Sequence, residues 1–228
     1  MRSPLFFKKL IAFLNPLPPI GGLAVSDDAI HFFLQETGKA PRTAAIRLPA
    51  ETFEGGKIKN REAFRAALRE LHRSAGGGKK GTQVVLSLPS EAVYTQSFSI
   101  PSLEEGRLEE AARLNLQMLS PIDFSSAFTG WQRIAESSHE GAQVDLLGAF
   151  VDAGLVKDFI ALCAEAGFTI AAVEFPSLAL ARLLARDPHV LPAASYLFSY
   201  IAADGISLMV IRNRNLYFNH FHSWREVR

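Results

Sequence analysis

Cysteine is nearly absent from this chain, because Cys163 is the only one among 228 residues. A single thiol cannot form a disulfide within the chain, and this composition is typical of a protein from a reducing compartment. Long apolar runs are lacking as well, since no stretch approaches the roughly 20 residues that a membrane-spanning helix needs. The sequence therefore predicts a soluble protein held together by its apolar core.

A net charge of one sign is also lacking. The 24 basic residues nearly balance the 23 acidic ones. Nucleic-acid binding normally requires a clustered basic face, so the composition gives no support to a nucleic-acid partner. Hydrophobic residues make up 48% of the chain, which is enough to bury one large domain or two modest ones.

The first 14 residues form an amphipathic pattern, with Phe6, Leu10, Phe13 and Leu14 on one helical face. Such a segment fits a membrane interface or a partner protein, and it equally fits a short helix packed on its own domain or a frayed tail. The prolines at 16, 18 and 19 interrupt it, and no small-residue cleavage site follows, which argues against a signal peptide. The candidate membrane or partner contacts are Phe6, Phe7, Leu10 and Phe13.

Hydrophobic periodicity predicts a mixed α/β chain. Strands are expected over 22–25, 29–35, 44–48, 83–88, 92–100, 128–134, 144–150, 169–174, 194–202, 206–212 and 216–222, and helices over 60–74, 103–119, 154–166 and 177–185. Three strands open the chain and three close it, with an α/β stretch between them. This repeated plan indicates two halves of a duplicated fold.

Several segments, taken in order and spacing, resemble the PilM branch of the actin-like ATPases of type IV pilus assembly. They are 84–89 (VVLSLP), 92–93 (AV), 100–103 (IPSL), 109–119, 120–122 (SPI), 165–167 (EAG) and 173–181 (VEFPSLALA). The last of these is the most specific. The superfamily also contains the cell-division protein FtsA and the cytoplasmic part of type II secretion L proteins.

The resemblance implies an actin-like (ribonuclease H-like) fold with an inserted subdomain and an incomplete second half. Residues 1–20 are then an N-terminal amphipathic tail, 21–89 and 167–193 form subdomain 1A, 90–166 form the inserted subdomain 1C, and 194–228 form part of subdomain 2A. Subdomain 2B and the remainder of the second half are expected to be missing.

Actin-like ATPases hold a nucleotide between two hairpin turns, each with a carboxylate for Mg²⁺ or water and a glycine that lets backbone amides approach phosphate. In the first hairpin, Ala24 stands where the family has its acid and Ser26 where it has its glycine. Asp27 and Asp28 follow and would repel phosphate. In the second hairpin, Tyr200 takes the acidic position and Ala202 that of the glycine, although a slip of one or two residues brings Asp204 and Gly205 into play.

These changes predict a pseudo-ATPase without a nucleotide or metal cofactor, since both turns have lost the groups that hold ATP and Mg²⁺. The sequence gives no support to a phosphate-binding loop, a metal site or a reactive cysteine either. The glycine-rich loop 76–81 leads from a helix into a strand, the reverse of a phosphate-binding loop. His220 and His222 lack an acidic or cysteine partner at metal-ligand spacing, and Cys163 has no evident base.

Binding of a partner protein is therefore the remaining candidate function. The resemblance implies that the cytoplasmic tail of a bitopic, PilN-like inner-membrane protein binds in a groove between subdomains 1A and 1C, with pilus motor ATPases as further partners. The candidate lining residues are Phe98, Leu119, Pro121, Ile122 and Phe175, any of which is alternatively a plain core residue. The predicted function is a non-catalytic scaffold that is cytoplasmic and peripheral to the inner membrane. The alternatives are an L-type adaptor of type II secretion and an ATP-binding protein completed by a second chain.

Overall fold

The computed structural model describes residues 19–77, 81–136, 143–191 and 193–227. Its strands are β1 (Gly21–Val25), β2 (Ala29–Leu34), β3 (Arg42–Arg47), β4 (Phe53–Glu54), β5 (Lys57–Ile58), β6 (Thr82–Ser87), β7 (Tyr94–Pro101), β8 (Ala127–Glu136), β9 (Gln143–Asp152), β10 (Phe168–Glu174), β11 (Ser195–Ile201), β12 (Gly205–Arg212) and β13 (Asn215–Ser223). Its α-helices are α1 (Arg61–Ser74), α2 (Glu105–Leu119), α3 (Ala153–Glu165) and α4 (Pro176–Ala185).

The first sheet has the strand order β10-β6-β1-β2-β3. The hairpin strands β1, β2 and β3 are antiparallel, whereas β6 and β10 are added in parallel after helical crossovers. Helix α1 begins where the Asn60 side chain accepts a hydrogen bond from the Ala63 amide at 3.0 Å. It packs against the sheet through its apolar face, which centres on the fully buried Phe64 and Leu68.

A second unit is inserted between β6 and β10. Its sheet has the order β7-β9-β8, and α2 covers it through a core of Ile100, Leu108, Ala112, Val144 and Leu146. Gly148 fits closely beneath α2, because a Cβ atom would lie 2.4 Å from Leu116 Cδ2 and would force that buried side chain to shift. Helix α3 follows this unit in sequence but packs elsewhere.

The position of α3 bears on the boundary of the inserted unit. Phe159, Leu162 and Cys163 of α3 belong to the core of the first sheet, and the Phe159 ring meets that of Phe64 edge to face at a centroid distance of 5.5 Å. The unit was predicted to extend over 90–166. The packing instead supports an inserted unit that ends with β9 at Asp152, and the division into subdomains stays a proposal.

The last sheet has the order β11-β12-β13, and α4 packs on one side of it. Its core contains Met209, Ile211 and Leu216 of the sheet, together with Ile134 and Leu147 of the inserted unit. The inserted unit also holds the edge of β13, because the Thr95 hydroxyl donates to the Asn219 carbonyl at 3.0 Å and the Ser97 hydroxyl donates to the Tyr217 carbonyl.

The strands and helices that the periodicity predicts are present, with ends shifted by one or two residues. The short hairpin β4–β5 was not predicted, and α2 begins at Glu105 rather than Leu103. Within the part of the chain that the structure describes, no helix combines the length and apolarity needed to cross a membrane.

Candidate functional site

Two hairpin turns face each other across a cleft between the first and last sheets. The β1–β2 turn is closed by the Ser26 amide, which donates to the Ala29 carbonyl at 2.9 Å. The β11–β12 turn is closed in the same way by the Ala202 amide, which donates to the Gly205 carbonyl at 2.9 Å. Ser26 and Ala202 therefore occupy equivalent positions in the two halves.

Because Ser26 and Ala202 are equivalent, the residues at the same distance before each of them are equivalent as well. Ala24 lies two residues before Ser26, and Tyr200 lies two residues before Ala202. All four line one cavity of about 510 Å³. The resemblance assigns these four residues to the two clamp positions, and the fold brings them together in this cavity.

Neither turn has a backbone conformation that requires glycine. The residues with positive φ that the structure describes include none from 26–28 or 202–204. The Ser26 hydroxyl instead braces its turn by donating to Asp28 Oδ1 at 2.7 Å, and the Trp224 indole N–H donates to the Ala202 carbonyl at 2.9 Å. Both are well-formed hairpin turns whose polar groups are partly satisfied within the chain.

The charge around the turns is acidic. Asp28, Glu174 and Asp204 line the cleft, and Asp27 lines the adjoining cavity with Asp204 and Arg225. Burial raises the pKa of Asp204 above its usual value, and the charges of Asp27 and Asp28 add to this effect. A phosphate group would meet these carboxylates at close range.

The basic side chains near the cleft are already paired. Arg225 lies 2.9 Å from Asp27, and Arg182 forms an ion pair with Glu174. Burial raises the pKa of Asp27, and the Arg225 charge offsets part of that increase. Among the described residues, no group of three or more His, Cys, Asp or Glu side chains is arranged to hold a metal ion.

The five predicted groove residues are not brought into one surface. Leu119 and Pro121 line a cavity of about 700 Å³ between β7 and β13. Phe98 packs against the core of the inserted unit, and Phe175 is buried in the core beneath the last sheet. Ile122 is half-buried just beyond α2.

A second groove, of about 450 Å³, lies between the first sheet and the inserted unit. One wall is formed by residues 128–132 of β8 and the other by residues 173–175 of β10, with Leu88 and Val156 also lining it. Of the five residues predicted to line the peptide groove, Phe175 is the one found among the lining residues of this second groove.

Both walls of this groove are edge strands. In the described sheets, β8 pairs only with β9, and β10 pairs only with β6. Their outer backbone groups are therefore available to an added strand. The sequence predicted both strands but missed this site, because hydrophobic alternation does not say which strand lies at a sheet edge.

The N-terminal candidates Phe6, Phe7, Leu10 and Phe13 lie outside the described residues.

Comparisons with known proteins give no match to a family model and none to a curated protein. Among solved structures, the chain is similar to the PilM–PilN type IV pilus biogenesis complex, with a TM-score of 0.75 and 20% identity over 90% of this chain. It spans 61% of that protein's length. It is also similar to the cytoplasmic domain of EpsL, an inner-membrane component of the type II secretion system of Vibrio cholerae, with a TM-score of 0.54 and 14% identity over 90% of this chain and 71% of that one.

A third similar structure is the ethanolamine utilization protein EutJ from Carboxydothermus hydrogenoformans. Its TM-score is 0.52 and its identity 11%, over 91% of this chain and 53% of that one. These likenesses confirm the predicted fold, although identities this low carry no activity or partner across. The chain has an actin-like fold, which is similar to the structure of the PilM–PilN complex.

Proposed function

We propose that this protein is a peptide-binding scaffold of a membrane-associated assembly machine, and that it holds the cytoplasmic tail of a PilN-like inner-membrane protein. The supporting observation is the groove between β8 and β10, which combines an apolar floor with two open strand edges. An extended peptide binds such a site by adding main-chain hydrogen bonds at the edge and placing alternate side chains in the floor. The protein would then be cytoplasmic and peripheral to the inner membrane.

The similarity to a complex of PilM with PilN supports this partner, and the similarity to EpsL supports the alternative of an L-type secretion adaptor. The two alternatives use the same groove with different tails. Motor ATPases as further partners remain a proposal of the same kind.

A tryptophan in the groove can report peptide binding through its fluorescence. Trp131 lines it, and the second of the two tryptophans, Trp224, lies at the far hairpin turn. We expect synthetic cytoplasmic-tail peptides of PilN-like and L-partner-like proteins, titrated into the purified chain, to change the Trp131 emission. The Trp131→Phe variant should lose the signal, and Trp224→Phe should keep it.

A saturable change in Trp131 emission with only one class of tail peptide would identify the assembly system, type IV pilus or type II secretion, to which the protein belongs. If neither tail changes the emission, and calorimetry detects no heat, the scaffold proposal fails.

We also propose that the cleft does not bind ATP productively. Ala24 and Tyr200 are the residues that the resemblance assigns to the two acidic positions, and three carboxylates, those of Asp28, Glu174 and Asp204, line the cleft. The rival, an ATP-binding protein completed by a second chain, requires Asp204 to act as a Mg²⁺ ligand, and calorimetry with Mg-ATP distinguishes the two.

A further inference from the structure

One face of the first sheet is exposed to solvent along three of its strands. Helices α1 and α3 both pack on the opposite face, where they share one core with the sheet. The positions of β1, β2 and β3 that alternate away from that core are exposed, and they are Gly22, Ala24, His31, Phe33, Thr43 and Ala45. Sheets of α/β proteins are normally covered on both faces, so this face has the position of a surface that another element covers.

The composition of this face is also that of a covered surface. None of its six side chains is Asp, Glu, Lys or Arg, whereas a sheet face that meets water usually carries polar and charged residues. Phe33 is 52% exposed. Its register partner Gly22 has nothing within 4 Å of the position that a Cβ atom would take. The Phe33 ring therefore stands beside an open floor that has room for the side chains of another element.

The first 18 residues join the sheet beside this floor. They lie outside the described residues and lead into β1, which is the central strand of the sheet. A helix over 1–14 would be about 21 Å long at 1.5 Å per residue, and β1 spans about 17 Å at 3.3 Å per residue. Residues 15–19, with their three prolines, give an extended connection of about 15 Å. The segment is therefore long enough to turn back and cover the face.

The sequence of this segment fits an apolar face that has a negative charge at one end. A helix over 1–14 places Phe6 and Phe13 on one side. Arg2 lies four residues before Phe6, and Lys9 lies four residues before Phe13, so both basic groups border that apolar side. The segment contains no acidic residue.

The end of the face that β1 runs towards is acidic. Asp28 and Asp204 line the cleft beyond the last residue of β1. Burial raises the pKa of Asp204, and the charges of Asp27 and Asp28 raise it further, so a basic group would relieve repulsion there. A helix that leads into β1 must run antiparallel to it in order to cover the face. Its N-terminal end, with the positive end of the helix dipole and Arg2, then lies on the acidic side.

We propose that residues 1–14 fold back onto the exposed face of the first sheet as an amphipathic helix antiparallel to β1, with Phe13 against Phe33 and Arg2 beside Asp28 and Asp204. The cleft is then occupied by a segment of the same chain rather than by a nucleotide. This surface is separate from the peptide groove between β8 and β10. A failure of this proposal therefore leaves the Trp131 titration of the groove unaffected.

Hydrogen exchange of the full chain, measured by mass spectrometry, tests the contact with Phe33. We expect the amides of residues 6–14 to exchange about tenfold or more slowly than those of a synthetic peptide of residues 1–18. Phe33→Lys should abolish this protection, because it places a charge under the apolar side of the helix. Met118→Lys is the matched control, since Met118 is 76% exposed on α2 of the inserted unit and its replacement should leave the protection unchanged.

The charges of the segment provide a second pair of variants. Arg2→Glu places a carboxylate beside Asp28 and Asp204, so we expect it to reduce the protection. Lys8→Glu makes the same change of charge in the same segment, but a helix turns this residue away from the apolar side. It should leave the protection intact.

The reactivity of an engineered thiol tests which surface is covered. The native Cys163 is buried, and burial raises its pKa to about 12, so Ala24→Cys provides the reactive thiol among the described residues. In the full chain this thiol should react with a maleimide about tenfold more slowly than in the Leu10→Asp background, where the segment has lost its apolar side.

Rapid exchange of residues 6–14 in the native protein overturns the proposal, as does protection that Phe33→Lys leaves intact. Protection that increases with protein concentration identifies a second copy as the occupant, and protection that requires anionic lipid vesicles identifies a membrane surface. Either result also overturns the folded-back arrangement.

Discussion

The guanidinium of Arg225 lies 2.9 Å from the Asp27 carboxylate, and 198 residues separate the two in sequence. Asp27 belongs to the first hairpin turn, whereas Arg225 follows β13 in a short helical turn whose first residue, Trp224, bonds to the second hairpin turn. One ion pair therefore links the two turns across the end of the cleft.

We expect Arg225→Ala to destabilise the protein by about 1 kcal/mol, because it leaves the largely buried Asp27 carboxylate without its partner. For a chain of this size that corresponds to a fall of roughly 2–4 °C in Tm. The Asp27→Asn, Arg225→Ala double variant should lose less than the sum of the two single losses in chemical denaturation.

Arg61→Ala is the control. The Arg61–Asp158 pair is 2.6 Å long, but both side chains are about half exposed, so its loss should cost well under 1 kcal/mol. Equal effects of Arg61→Ala and Arg225→Ala would mean that the pair across the cleft has no special role.

The peptide groove gives a second prediction. Val173 lies in the β10 wall of the groove and is 37% exposed, so Val173→Lys should preserve the fold while placing a charge on this apolar wall. We expect it to weaken binding of the cytoplasmic tail at least tenfold in the Trp131 titration, since every 1.4 kcal/mol corresponds to a factor of ten.

Leu183→Lys should bind the tail with unchanged affinity, because Leu183 is exposed on α4 and does not line the groove. Unchanged tail affinity in Val173→Lys would place the peptide elsewhere, with the cavity beside Leu119 and Pro121 as the next candidate.

Much of the fold could be predicted because its elements carry local signals. Asn60 caps α1, Gly167 follows α3 with a φ of +95°, and the β12–β13 turn places Asn213 and Arg214 at φ values of 51° and 61°. Each of these depends on residues close in sequence.

The missed features depend on distant contacts. The packing of α3 against Phe64 is decided by the tertiary core, which local sequence patterns do not reveal, and the boundary predicted at residue 166 stays a prediction. The same holds for the groove, because Phe98 and Phe175 have the apolar character of a binding surface but pack into two different cores, and only Phe175 also lines the groove. The two hairpins of the cleft are local features, so the sequence predicted where their strands lie, and the fold brings their turns face to face.

The acidic cleft gives a third prediction. A ligand that binds only the folded state and is present at about 100 times its Kd adds about 2.7 kcal/mol of stability. We expect millimolar Mg-ATP to leave Tm unchanged relative to Mg²⁺ alone, because the carboxylates of Asp28, Glu174 and Asp204 oppose a triphosphate. A rise in Tm that disappears in Asp204→Asn would instead identify Asp204 as part of a working nucleotide site.

The burial of Asp204 gives the last prediction, a pH dependence. The pKa of Asp204 is raised in the folded protein above the value of 3.8 expected when it is solvated, so the folded state binds more protons than the unfolded state as pH rises from that value. Folding stability therefore falls with rising pH across this window, and the penalty is complete at neutral pH. Asp204→Asn removes the charge, and we expect its Tm to exceed that of the native protein at pH 7 by a margin that shrinks towards pH 4.

Asp123 provides a control of opposite sign. The Ser125 hydroxyl and amide donate hydrogen bonds to its carboxylate and lower its pKa, so its charged form stabilises the fold above the unfolded pKa and that contribution is lost as pH falls. Asp123→Asn should therefore lower Tm at pH 7, with the deficit narrowing in acid. If Asp204→Asn instead lowers Tm at pH 7 as Asp123→Asn does, the Asp204 carboxylate is a stabilising group, and the repulsion inferred for the cleft is wrong.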